Sequence, residues 1–82
     1  METKKIQSPT KQLKDTFKSI RDPLIEDKKI SIRKFSDFVM IEDPSYESLQ
    51  GLERIRNTFY GRSADYRLTE LLKRYLHEKA YI

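Results

Sequence analysis

Arginine and amide side chains cluster in the stretch LERIRNTFYGR, residues 52–62. Arginine and asparagine make paired hydrogen bonds to guanine and adenine in the major groove of DNA, and hydroxyl and basic side chains donate to phosphate oxygens. The alternative interpretation is a solvated helix face whose arginines pair with acids such as Glu53. The candidate nucleic-acid-binding residues are Arg54, Arg56, Asn57, Thr58, Tyr60, Arg62 and, from an earlier segment, Lys34.

Few residues of the chain could support catalysis, metal binding or cofactor binding. The chain has no cysteine and one histidine, His77, so thiol nucleophiles, disulfides and cysteine-based zinc sites are excluded. It also has neither the HExxH metal-binding pattern nor a glycine-rich phosphate loop. His77 follows an apolar helical pattern and is interpreted as a surface residue near a helix end. We therefore expect no enzymatic activity, no bound metal and no cofactor.

Composition and charge are typical of a small basic domain. The 82 residues carry 17 Lys and Arg against 13 Asp and Glu, giving a net charge of +4 and a pI of about 9.4. A pI this high is a recognised property of nucleic-acid-binding domains. No apolar run approaches the roughly 18 residues of a membrane span. We expect a soluble, cytoplasmic protein that does not bind membranes.

The hydrophobic pattern predicts an all-α fold, a small bundle of about four helices. Residues 1–8 are predicted to be a flexible basic tail and residues 9–82 a single helical domain. The first helix is predicted from Pro9, capped by Ser8, to Asp22, with Pro23 ending or kinking it. Lysines along one flank of this helix would contact a phosphate backbone. The apolar face and the basic flank consist of Leu13, Phe17, Ile20, Leu24 and of Lys11, Lys14, Lys18.

The next two helices are predicted from capping residues and apolar spacing. Ser31 is predicted to cap a second helix, IRKFSDFVMI. The alternative for this segment is a strand, but strict alternation would put charged side chains and core side chains on the same face, and this favours the helix. Asp43 followed by Pro44 predicts the start of a third helix that ends near Phe59. Gly51 within it marks either a break into two helices or a close approach to a neighbour. Along this helix we expect the guanidinium groups on either side of Ile55 to project outward together.

The last helix follows a predicted corner. Gly61 comes just after the last periodic residue, where glycine can take the left-handed conformation that ends a helix. Ser63 is predicted as the N-cap of the final helix, with Asp65 in its first turn. Glu70 and Arg74 have the spacing of a helical ion pair. The apolar stripe of this helix consists of Leu68, Leu71, Leu72, Tyr75 and Leu76.

These segments resemble the helix-turn-helix domains of the Cro and lambda-repressor class. A serine-capped helix, a second helix ending in a Gly-Arg corner and a leucine-rich closing helix occur in the order of that family. The segment EDPSYESLQG stands where the family has a tight turn, and Thr58 stands where an apolar residue is normal. The resemblance implies that the third helix is a recognition helix whose Arg56 and Asn57 face DNA. Proteins of this class commonly bind duplex DNA as dimers, so the resemblance also implies duplex DNA as a partner and a homodimer as a possible assembly.

The residues and the resemblance together predict a small DNA-binding, transcription-regulator-like protein, of the kind found in phages or mobile elements. The alternative is a protein-interaction module that binds no nucleic acid. Tyrosines beside arginines have the composition of protein-binding hot spots, and we expect Tyr46, Tyr60, Tyr66 and Tyr81 to be exposed. A contiguous positive surface containing Arg54, Arg56 and Arg62 would favour DNA, and intermixed charges there would favour a partner protein.

Overall fold

A computed structural model describes residues 9–80 of the chain, within which four α-helices form a bundle. No strand occurs among these residues, so the predicted all-α class is confirmed and the ambiguous second segment is a helix. The predicted tail over residues 1–8 and the Ser8 cap lie outside the described residues. The helices are α1, Pro9–Glu26; α2, Ile32–Glu42; α3, Leu49–Phe59; and α4, Tyr66–Tyr75. A 3-10 helix, Pro44–Tyr46, precedes α3, and a π-helical turn, Leu76–Ala80, follows α4.

The core forms where the apolar stripe of α4 packs against α1 and α2, against which α3 also packs. Three aromatic rings from α1, α2 and α3 meet at its centre: the centroid of Phe35 lies 5.7 Å from that of Phe17 and 5.8 Å from that of Phe59. Such geometry adds about 1 kcal/mol per pair beyond the burial of area. The fully buried aliphatic side chains are Val39, Ile55, Leu68, Leu71 and Leu72.

Helix α1 continues one turn beyond its predicted end. Proline removes one helical hydrogen bond, but Pro23 lies inside the helix, which ends at Glu26. The extra turn buries Leu24, of which 4% is exposed. It ends where Lys28 takes a left-handed φ of 57° and the Lys29 amide donates to the Leu24 carbonyl at 2.8 Å. Burial of this leucine offsets the missing bond, so the prediction of an end at Asp22 was wrong.

Helix α3 begins later than predicted. Asp43 and Pro44 do start a helical turn, but it is the short 3-10 helix, in which Asp43 accepts from the Ser45 amide at 3.2 Å. A second cap, Ser48, starts α3 and accepts from the Gly51 amide at 2.9 Å. The chain therefore breaks before Gly51 rather than at it. Asp43 and Ser48 are both acceptable N-caps, so the sequence pattern did not show that the 3-10 helix and α3 are separate elements.

Gly51 allows two backbone segments to approach closely. A Cβ atom added at this position would lie 2.6 Å from the Cα of Tyr46 and would also collide with the Tyr46 carbonyl. Of the two interpretations left open by the sequence, close packing is the one that applies. The glycine thereby fixes the 3-10 helix against the first turn of α3.

The corner between α3 and α4 has the predicted glycine and a different cap. Gly61 takes a φ of 83°, and the Arg62 amide donates to the Asn57 carbonyl at 2.8 Å. Helix α4 starts at Tyr66, so the residue in the N-cap position is Asp65, whose carboxylate accepts from the Leu68 amide at 3.0 Å. The prediction that Ser63 is the cap was wrong.

The ion pair predicted within α4 does not form. Glu70 pairs with Lys73 at 3.2 Å. Arg74 pairs instead with Glu42 of α2 at 2.9 Å and with Glu78 at 3.2 Å. The contact to α2 joins two helices, which a pattern read along a single helix cannot reveal.

Candidate functional site

The outer face of α3 does not present its two central arginines together. Ile55 and Phe59 are buried and set the inward direction of the helix. Because each residue turns the helix by about 100°, Arg54 and Arg56 lie about 160° apart, on opposite flanks of the exposed side. Glu53 lies between them on that side. The expectation that both guanidinium groups project outward together was wrong. The charges on this face alternate in sign, which is the arrangement expected of a surface that binds a partner protein.

Arg54 forms an ion pair that belongs to the fold. Its Nη1 atom lies 3.3 Å from Oδ2 of Asp65, whose side chain is 6% exposed, whereas the side chain of Arg54 is 64% exposed. The same carboxylate accepts from the hydroxyl of Tyr46 at 3.1 Å and caps α4. A buried carboxylate requires such partners because its desolvation is costly. Asp65 therefore joins the 3-10 helix, α3 and α4, and Arg54 compensates its charge.

Tyr46 is buried rather than exposed as we expected. Only 9% of it is accessible, because its ring fills the space between the 3-10 helix and the corner. Burial of the phenol, the negative charge of Asp65 and the hydrogen bond to that carboxylate raise the pKa of Tyr46 to about 12. Tyr60 and Tyr66 are exposed as predicted, at 51% and 68%, and Tyr81 lies outside the described residues.

Three predicted residues meet at the corner and are referred to here as the corner cluster: Asn57, Tyr60 and Arg62. The Nη1 atom of Arg62 donates to Oδ1 of Asn57 at 3.1 Å, and its guanidinium carbon lies 5.7 Å from the centroid of the Tyr60 ring. The amide and the ring orient this guanidinium while leaving further N–H donors for a ligand. Paired hydrogen bonds to adenine would use both the oxygen and the nitrogen of the Asn57 amide. Asn57 can therefore read adenine only after its oxygen has released Arg62.

Arg56 is the predicted residue most open to a ligand. It is exposed, and no described carboxylate lies within ion-pairing distance of it. It lines a shallow depression of about 320 Å³ together with Leu49, Leu52 and Glu53. An unpaired guanidinium keeps all five N–H donors available for bidentate contacts.

Thr58 is buried rather than exposed, and Lys34 lies in a depression apart from the other candidates. Thr58 is 2% exposed, so its side chain cannot contact a duplex lying on the surface, and its predicted role there was wrong. Its hydroxyl has no hydrogen-bond partner among the described residues. Lys34 is exposed on α2 and lines a depression beside Phe38 and Glu78. None of the candidate residues of α3 lines that depression, so the structure does not bring Lys34 into the site.

A basic cleft lies where α1 meets the corner. Lys14, Lys18 and Arg21 of α1 line a cavity of about 290 Å³ together with Tyr60 and Gly61. Their spacing of four and three residues puts the basic side chains on one helix face. The cleft therefore joins the corner cluster to the flank of α1 for which we predicted phosphate contacts.

The carboxylates near this cleft are already engaged. Lys18 lies 3.0 Å from Asp22, and Arg21 lies 2.6 Å from the same carboxylate. Hydrogen bonds from Arg21 and Lys18 lower the pKa of Asp22, so it is fully charged at neutral pH. Lys11 pairs with Asp15 at 3.6 Å. Lys14 is half-buried and has no carboxylate within ion-pairing distance among residues 9–80.

The contacts by which Arg21 and Asp65 join separate elements were not predicted from the sequence. Arg21 donates from Nη1 to the Phe59 carbonyl at 2.6 Å, which fixes α1 to the C-terminal end of α3. Its place three residues after Lys18 would have put it on the predicted basic flank. Asp65 was predicted in the first turn of the last helix, but its contacts to Tyr46 and Arg54 were not, because these partners come from segments up to 19 residues away.

None of the helices in the described part of the chain combines the length and apolar character needed to cross a membrane. Comparison of the chain with protein-family models, with curated proteins and with solved structures gives no match.

Proposed function

We propose that the protein binds duplex DNA, in the manner of a small transcription regulator, through the C-terminal end of α3, the corner that follows it and the basic cleft beside that corner. The observation that carries this proposal is the continuity of the corner cluster with the basic cleft. Lys14, Lys18 and Arg21 line the cleft, and Arg62 lies against the Tyr60 ring that forms part of its wall. The two carboxylates beside these cations, Asp15 and Asp22, are paired. A surface of this sign attracts a polyanion.

The part of α3 nearest the corner makes the contacts to the bases. Arg56 is unpaired among the described residues, and Asn57 has one hydrogen bond to another side chain, an exposed one to Arg62 at 3.1 Å. An exposed bond of this kind contributes only about 1 kcal/mol, so a base edge can replace it. These side chains lie on neighbouring parts of one helix face, which suits a helix lying in the major groove.

A protein partner is the second candidate, and the exposed leucines of α3 favour it. Leu49 is 86% exposed and Leu52 is 38% exposed. They flank Arg56 and Glu53, so this end of the helix combines apolar area with both charges. Arginine is enriched in protein-binding hot spots, and burial of the leucines would add to affinity. On this alternative the protein would not bind DNA even at low salt.

The base-reading role is tested by replacing Arg56 and Asn57 together with alanine. Duplexes selected by the wild type from a random pool, and scrambled versions of them, would be compared by gel shift. The variant should lose most of the discrimination, because each bidentate contact contributes about 1–3 kcal/mol. Arg33→Ala is the matched control, since it removes an exposed arginine of α2 and should keep the discrimination. Equal discrimination by the wild type and the double variant would remove the base-reading role.

A further inference from the structure

In the basic cleft between α1 and the corner, some polar groups have hydrogen-bond or ion-pair partners and others do not. Its walls are Lys14, Lys18 and Arg21 on one side and the C-terminal end of α3 with Tyr60 and Gly61 on the other. Lys18 and Arg21 share Asp22, at 3.0 and 2.6 Å. Arg21 also uses a donor on the Phe59 carbonyl at 2.6 Å. These contacts hold two of the three cations in place.

One cation that lines the cleft lacks a partner among the described residues. Lys14 is a partly buried residue with no carboxylate within ion-pairing distance. Thr58 also lines the cleft, but its unpaired hydroxyl is buried and does not reach a ligand on the surface. A lysine without a counter-ion, beside two cations that have one, leaves a place for an acceptor, so the partner that is missing is one for Lys14.

The missing partner is an anion from outside the chain. Asp15 also lines the cleft but pairs with Lys11 at 3.6 Å, and Asp22 is occupied by two cations. The ammonium of Lys14 has three donors and no acceptor, so its partner must supply acceptor oxygens. A phosphate group offers several acceptor oxygens in different directions, and lysine binds it as a point charge.

We propose that this cleft seats one phosphate of the bound nucleic acid, with Lys14 as its direct ligand. The proposal rests on the proposed DNA-binding function and adds the position of a backbone contact. Arg21 is a positioning residue, since its bonds to Asp22 and the Phe59 carbonyl fix the distance between the two walls. Arg62, one residue beyond Gly61, continues the positive surface from the cleft to the outer face of α3.

The first arm of the test uses inorganic phosphate alone, followed by amide chemical shifts of the labelled full-length chain. Phosphate should shift the amides of Lys14, Lys18 and the segment 58–61, and Lys14→Ala should abolish these shifts. Lys79→Ala is the charge-matched control, because it removes an exposed lysine of the C-terminal π-helical turn. It should leave the shifts unchanged, and Lys14→Arg should retain them. Equal shifts in the wild type and Lys14→Ala would overturn the phosphate seat.

The second arm uses a short duplex and separates this inference from the proposed function. Lys14→Ala should reduce the slope of log affinity against log salt by about one, the effect of losing one phosphate contact, whereas Lys79→Ala should not. If the wild type binds the duplex but both variants behave alike, the inference fails and the DNA-binding function stands. If the duplex does not bind while phosphate still shifts the cleft amides, the function fails and the phosphate seat stands.

Discussion

Replacing Asp65 with alanine is expected to lower the free energy of unfolding by about 3 kcal/mol, since the change removes a helix cap and leaves a buried phenol unpaired. The carboxylate caps α4 at the Leu68 amide, accepts from the Tyr46 hydroxyl and pairs with Arg54. Arg54 is largely exposed and returns to water, so its share of the loss is small. Most of the effect comes from the cap and from Tyr46.

Urea denaturation followed by circular dichroism would measure this loss. Asp37→Ala is the matched control, because Asp37 is an exposed acid of α2, and it should change stability by less than about 0.5 kcal/mol. A loss below about 1 kcal/mol in Asp65→Ala, no larger than a typical cap alone, would show that Asp65 does not join the three segments.

The same variant should change the titration of Tyr46. In the wild type the raised pKa, about 12 against 10.0, favours the neutral phenol in the folded state. The stability that this shift contributes is present below pH 10 and is lost as the pH rises towards 12. Without Asp65 the pKa of Tyr46 should fall part of the way back, because burial of the ring, the larger cause, remains. Absorbance at alkaline pH would follow the ionisation.

Replacing Gly51 with alanine is expected to destabilise the protein by about 2 kcal/mol, although alanine is the better helix former by about 1 kcal/mol. The added methyl group would collide with the backbone of Tyr46. Both sides of this clash are backbone segments, so no flexible side chain can move aside to relieve it. The 3-10 helix and the first turn of α3 would have to separate.

Gly61→Ala is the comparison for this substitution. No atom lies within 4 Å of a Cβ added there, but the φ of Gly61 is 83°, so the loss should be about 1 kcal/mol from backbone strain alone. Thermal unfolding of both variants would rank them. A Gly51→Ala protein as stable as the wild type would mean that the two segments are not tightly packed.

Periodicity explains why the sequence was sufficient to predict the helices that supply the core. The stripe of α4 and the aromatic residues of α1 and α2 repeat at helical spacing, and burial follows directly from that repeat. Gly61 was equally predictable, because a left-handed backbone conformation at a helix end strongly favours glycine. Most of the core could therefore be assigned before any coordinates.

Helix starts and ion pairs were less predictable for physical reasons. Ser63 and Asp65 are both good caps, and only the packing of α4 decides between them. Arg54 and Arg74 find their acids on other elements, Asp65 and Glu42. Such pairs depend on the relative position of the elements, which local spacing does not determine. For the same reason the basic cleft emerges only when α1 lies against the end of α3.

The central claim is that the positive surface from α1 to Arg62 binds a nucleic-acid backbone. The most direct measurement is the affinity of the wild-type protein for a short labelled duplex, by fluorescence anisotropy, as salt increases from about 50 to 200 mM. If Lys14, Lys18 and Arg62 contact phosphates, log affinity should fall linearly with log salt with a slope of about −3. Absence of binding at the lowest salt, or affinity that salt does not change, would contradict the claim.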